Sequence, residues 1–204
     1  MLKLGKPSMQ AAIPIDSRAA TTLQYIRASM DAAASVAVPG STGTGMGLVG
    51  LIATALTASP ALHPYWLSIW VASAVVAAAL GVILLARQSS QRGLRLIGTP
   101  IRKLLLCLLP SLFAGGVITG ALWSAGNLHA IPGTWLLLYG CALISASVTT
   151  TRTIGVLGGA FTLLGVLALL LPDSLQIFML GVGFGGLHLL FGFLIGRMGH
   201  GRQV

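Results

Sequence analysis

Apolar residues run along this chain in long stretches, with the polar residues gathered between them. Six stretches can be marked, at 42–59, 65–86, 103–124, 132–149, 154–171 and 175–196. Each is near the ~20 residues that a helix needs to cross the hydrocarbon core of a bilayer. They show neither the alternation of a half-buried strand nor the single apolar stripe of a helix on a soluble core. The pattern predicts an all-α, polytopic membrane protein with six transmembrane helices. Proline marks the boundaries: Pro39, Pro60, Pro64, Pro100, Pro132 and Pro172 all flank the stretches, as befits a residue that cannot continue a helical hydrogen-bond ladder. Pro110 alone lies inside a stretch, and there it predicts a kink in the third span.

Ahead of the first span, Asp16 or Ser17 can cap an N-terminal amphipathic helix that reaches about Val38 and ends at Pro39-Gly40. Leu23, Ile26 and Met30 share one stripe of it, with Arg18, Gln24, Arg27 and Asp31 opposite. Such a helix lies on an anionic leaflet or packs against the end of the bundle. The chain thus divides into a cytoplasmic tail with this helix (1–40), a six-helix transmembrane domain (41–197) and a cytoplasmic C-terminal tail (198–204).

Composition narrows the function classes. Of 204 residues, 55% are hydrophobic and only 7% charged, against about a quarter charged in soluble domains, so no stretch remains for a soluble catalytic domain. The 12 Lys and Arg against 3 Asp and Glu give a net charge of +9. Sorted by span, that charge reports topology and not nucleic acid. Lys3, Lys6, Arg18 and Arg27 precede span one, and Arg87, Arg92, Arg95, Arg102 and Lys103 lie between spans two and three. Arg152 lies between spans four and five, and Arg197 and Arg202 follow span six. All fall on one side, which predicts that both termini are cytoplasmic. Trp66, Trp70, Trp123 and Trp135 sit at or near the other boundary, as an interfacial aromatic belt does.

Glycine is the next recurring feature. Gly45-Met46-Gly47-Leu48-Val49-Gly50 matches a dinucleotide fingerprint as a string, but no strand precedes it and no acid follows about twenty residues on. Its physical meaning is close helix packing, as in the rows Gly43/Gly47, Gly116/Gly120, Gly155/Gly159 and Gly181/Gly185 with Gly192/Gly196. Such rows serve packing within the chain, a homo-oligomer, or a membrane partner.

On an ideal α-helix, His188 falls on the same face of span six as Gly185 and Gly192. It is the one histidine inside a span, and an intramembrane ionisable residue is a functional candidate. His188, Gly185, Gly192 and the Pro110 kink form a candidate ligand or pathway set; the alternative is a neutral imidazole hydrogen-bonded between helices. By helix rise, Cys107, Cys141 and His188 lie at similar depth. If their helices meet there, the three suit a soft metal ion such as zinc or monovalent copper. Otherwise the thiols are simply buried, and no other cofactor is evident. At the turn between spans four and five, Arg152 with Thr150 and Thr151 can hold an anion or a lipid headgroup, unless the hydroxyls bond their own helix carbonyls. No carboxylate lies inside any span, and the fourth span lacks the Gly-x-Ser-Gly element of rhomboid proteases. An enzyme is therefore not expected.

Arg27-Ala28-Ser29-Met30, Val38-Pro39-Gly40, Trp135-Leu136-Leu137-Leu138-Tyr139-Gly140 and Gly183-Phe184-Gly185-Gly186-Leu187-His188 together resemble a group of small bacterial six-helix inner-membrane proteins, over residues 20 to the end. The resemblance implies an inner-membrane location and a pattern to which Pro39-Gly40 and His188 belong; it supplies no substrate or catalytic residue. The six-helix plan is also similar to that of the substrate-binding components of energy-coupling-factor vitamin transporters, an analogy of fold alone. The expected function is a small solute-binding or transport component of the lipid bilayer. The alternative is a membrane-embedded regulatory or scaffold subunit that docks a partner.

Overall fold

The structure is a computed structural model and describes residues 20–27, 39–91, 99–148 and 150–200. Residues 20–27 are helical and exposed; the rest of the expected amphipathic helix, residues 1–19 and 201–204, and Arg92 and Arg95 lie outside the described residues. The chain is all-α, with no strand among the described residues. Its helices are α1 (Gly40–Ala58), α2 (Trp66–Gln91, entered through a 3-10 turn at His63–Tyr65), α3 (Thr99–Ser124), α4 (Ala130–Ser147) and α5 (Arg152–Leu170). The last span has three parts: α6 (Asp173–Leu180), a π-helix (Gly181–Leu187) and α7 (His188–His200). Among the described residues, six spans are long and apolar enough to cross a membrane, Gly40–Ala58, His63–Gln88, Leu104–Ser124, Ala130–Ser147, Arg152–Leu170 and Asp173–Arg197. Each begins and ends within two residues of the hydropathy boundaries. The chain is an integral membrane protein in form, and lipid is its expected surroundings.

Contacts run in one sequence across the bundle: α2 packs on α1, α1 on the last span, the last span on α4 and α5, and α3 on α4. Although consecutive, α2 and α3 share almost no contact among the described residues. The centre is therefore α1, α4, α5 and the last span, with α2 and α3 attached to its flanks. Burial agrees, at 44% of the α4 span against 6% of the α2 span and 11% of the α3 span.

Two glycine seams hold the centre together. In the first, α1 crosses the last span backbone to backbone. A Cβ on Gly50 would stand 2.6 Å from the Phe184 carbonyl, one on Gly47 2.8 Å from the Leu189 nitrogen, and one on Gly43 2.9 Å from Gly192 Cα. In the second, α4 lies against α5: a Cβ on Gly140 would stand 2.7 Å from the Gly158 carbonyl oxygen, and one on Gly158 2.7 Å from the Ile144 nitrogen. Gly133 and Gly165 repeat the contact two turns away. In lipid, where apolar contact with another helix has no advantage over contact with acyl chains, this closeness supplies the dispersion that joins helices.

Two sequence expectations change here. The seam of α4 with α5 is built mainly on glycines seven residues apart; of the expected pair there, Gly155 faces α4, with a Cβ 2.9 Å from Ser147 Oγ, while a Cβ on Gly159, or on Gly116 or Gly120 of α3, would meet nothing within 4 Å. Trp70 is only 3% exposed and packs in the core instead of facing lipid, while Trp123 is 67% exposed as a belt residue is. Pro110 lies inside α3, as its sequence position requires.

Candidate functional site

The seven residues of the π-helix, Gly181-Val182-Gly183-Phe184-Gly185-Gly186-Leu187, include four glycines, and short side chains tolerate the wider, less tightly bonded turn. The slower winding carries His188 off the face of Gly181 and Gly185, where an α-helix would place it. Gly181 and Gly185 meet Thr54 and Leu51 of α1, whereas Gly183 meets Leu136 of α4 and Phe161 of α5. His188, five residues after Gly183, follows it to the side of α4 and α5. The wheel that put His188 on the face of Gly185 and Gly192 is thereby corrected, since it assumed 100° per residue through a segment that winds more slowly.

Facing α4, His188 Nε2 lies 2.9 Å from the Tyr139 hydroxyl. Its other nitrogen, Nδ1, is buried without a hydrogen-bond partner. With the Tyr139 hydroxyl donating to Nε2, the ring proton sits on Nδ1. Aromatic rings close the remaining sides. Phe161 meets the imidazole edge-on at 5.1 Å, Phe184 stacks on it at 6.1 Å, and Tyr139 and Phe161 lie 4.9 Å apart. Trp70 reaches in from α2 to Phe184 at 6.1 Å, and its Nε1 has no hydrogen-bond partner. His188 is 3% exposed. By helix rise it lies about 13 Å from Arg197, well inside the span. One hydrogen-bonded pair thus sits in an aromatic shell drawn from four helices.

The other candidates fall elsewhere. Gly185 and Gly192 lie against α1, where a Cβ on Gly185 would meet the Leu51 side chain at 2.6 Å, and they line no route to His188. Pro110 is exposed on α3. Cys141 is exposed, about 160° around α4 from Tyr139, and Cys107 packs beside Leu104 and Ala146. No group of three metal-ligating side chains converges among the described residues, so Cys107, Cys141 and His188 are not brought together.

At the turn into α5, Thr150 Oγ1 donates to the Ala146 carbonyl at 2.9 Å and Ser147 Oγ to that of Ile144 at 2.6 Å. Those hydroxyls serve their own helix. Thr151 takes the N-cap position through its backbone, with no side-chain cap, and Arg152 is exposed beside it.

Tyr139, Phe161, Phe184 and Trp70 are the site residues that sequence reasoning passed over. One signal was available: a tyrosine nine residues inside a span carries a hydroxyl that must find a partner, and His188 was the one imidazole within any span. No family model matches this chain, and no curated protein or solved structure does either.

Proposed function

We propose that this protein is a membrane-embedded scaffold or regulatory subunit and acts by packing against a partner, without catalysis of its own. The observation that carries the reading is the filled centre. The position where a solute path would need polar, hydrated space is occupied by His188, Tyr139, Phe161 and Phe184 in mutual contact. A helix surface for a partner is available on α3, where Gly116 and Gly120 stand in open space beside Phe113 and Val117, which are 75% and 57% exposed. Small residues four apart let another helix approach closely in lipid. The basic end, read by the charge rule, faces the cytoplasm, with both termini there.

Association measured in native membranes tests this. Leucine at both Gly116 and Gly120 is expected to abolish crosslinking of the chain to a neighbouring helix through a cysteine placed at Val117, with the midpoint of thermal unfolding held within about 2 °C, because no intrachain contact is lost. Crosslinking unchanged by the two leucines would count against the scaffold reading.

A solute-binding component is the second reading. It is favoured by one feature, the buried Nε1 of Trp70 and Nδ1 of His188, which lack full hydrogen bonds beside a π-helix. Buried donors of this kind can serve a ligand oxygen once the helix turns. Stabilisation of the purified protein by one solute, lost on His188→Leu, would select this reading.

A further inference from the structure

We propose that the groove between the first turn of α1 and the last turns of α7 is a binding site for one anionic phospholipid, with the phosphate on Arg197 and an acyl chain along Phe193. A cavity of about 470 Å³ opens there, lined by Gly40, Ser41 and Thr44 of α1 and by Gly192, Phe193 and Arg197 of α7. It exists because the two helices touch without side chains. Gly40 lies directly on the backbone of Gly192 and Gly196, and beyond this crossing the neighbouring side chains leave an apolar trough.

Charge fits only one kind of occupant. The Arg197 guanidinium lies 5.7 Å above the Phe193 ring, which holds the cation at the wall of the groove. Helix α1 starts after Pro39 with no side-chain cap, so the positive end of its backbone dipole faces the same space. Thr44 cannot supply negative charge, and its hydroxyl is already committed to the Gly40 carbonyl at 3.1 Å. Asp173, the one acid among the described residues, sits at the opposite end of the last span, roughly 36 Å from Arg197 by helix rise. Arg87, Arg102 and Arg152 lie at helix ends on the same side of the bundle as Arg197, the level at which anionic headgroups collect.

A free phosphate would meet the cation and leave the apolar wall of Phe193 and glycine backbone uncovered. A neutral lipid would cover the wall without answering the charge. A phosphatidylglycerol-like molecule does both, and basic pockets between transmembrane helices recognise such headgroups.

Native mass spectrometry of the full chain, released from bilayers of mixed phosphatidylglycerol and phosphatidylcholine, tests the site. One phosphatidylglycerol should be retained preferentially. Arg197→Gln should reduce that preference about 5-fold, and Ser41→Phe, which fills the groove and keeps every charge, should reduce it as well. Arg152→Gln, a charge at the same end outside the groove, should leave it unchanged. The proposal is overturned if Arg197→Gln retains the preference, or if Arg152→Gln lowers it equally, which would mean general surface charge. It is also overturned if excess inorganic phosphate alone abolishes the preference, which would make the occupant a free anion.

Discussion

His188 and Tyr139 form a side-chain hydrogen bond deep inside the spans, 2.9 Å long and walled by rings. Removing the hydroxyl in Tyr139→Phe keeps the ring contacts and leaves Nε2 without a donor. Such pairs in membranes are worth about 0.6 to 1.7 kcal/mol, and an orphaned buried polar atom adds to the loss. The expected effect is a fall of about 2–4 °C in the thermal midpoint in micelles. The same loss should not recur when Tyr139→Phe is added to His188→Leu, because the acceptor has already gone. Full additivity of the two would show that the pair is not coupled. At this scale the sequence exposed half of the site. His188 stood out as an imidazole within a span and Tyr139 as a hydroxyl in need of a partner, but that the two meet depends on how the last span is wound.

Among the elements, the π-helix decides most. Five-residue spacing turns Gly183 and His188 toward α4 and α5 while Gly181 and Gly185 keep their contact with α1. Deleting Gly186, which is exposed and meets nothing, should return the segment to α-helical winding and rotate His188 by about 100° away from Tyr139. In that variant Tyr139→Phe should no longer change stability; if it still does, the π segment is not what aims the histidine. The glycine seams give a second contrast. Gly140→Val forces a side chain into the Gly158 carbonyl, and about 3 kcal/mol of destabilisation is expected, whereas Gly116→Val should stay within about 0.5 kcal/mol. Thermal unfolding of both variants checks this, and equal effects would contradict the assignment of seam and open face. Hydropathy located the six spans to within two residues because the bilayer imposes one length on all of them. Which glycines touch was not legible in the same way. Spacing alone gives Gly116 and Gly120 the same appearance as Gly43 and Gly47, and only the neighbouring helix distinguishes them.

For the whole molecule, the architecture is a locked centre of α1, α4, α5 and the last span, with α2 and α3 on its flanks. Its basic helix ends gather on one side and its exposed tryptophan lies on the other, an asymmetry that composition already carried in 12 basic residues against 3 acids. What composition could not carry was whether the interior is open. A soft-metal trio, a kinked pathway and a packed centre all suit the same spans, and the choice among them rests on the directions of Cys141, Pro110 and His188. The central claim is that the region around His188 is filled and closed to water from both sides. Thiol labelling of His188→Cys in a chain whose Cys107 and Cys141 have been replaced by alanine tests it most directly, in sealed vesicles and with a charged, membrane-impermeant maleimide. Ser59→Cys, at the boundary of α1, serves as the accessible control. The packed centre predicts labelling of position 59 and none of position 188 from either face; labelling of position 188 in the folded protein would contradict it and point to a solute path.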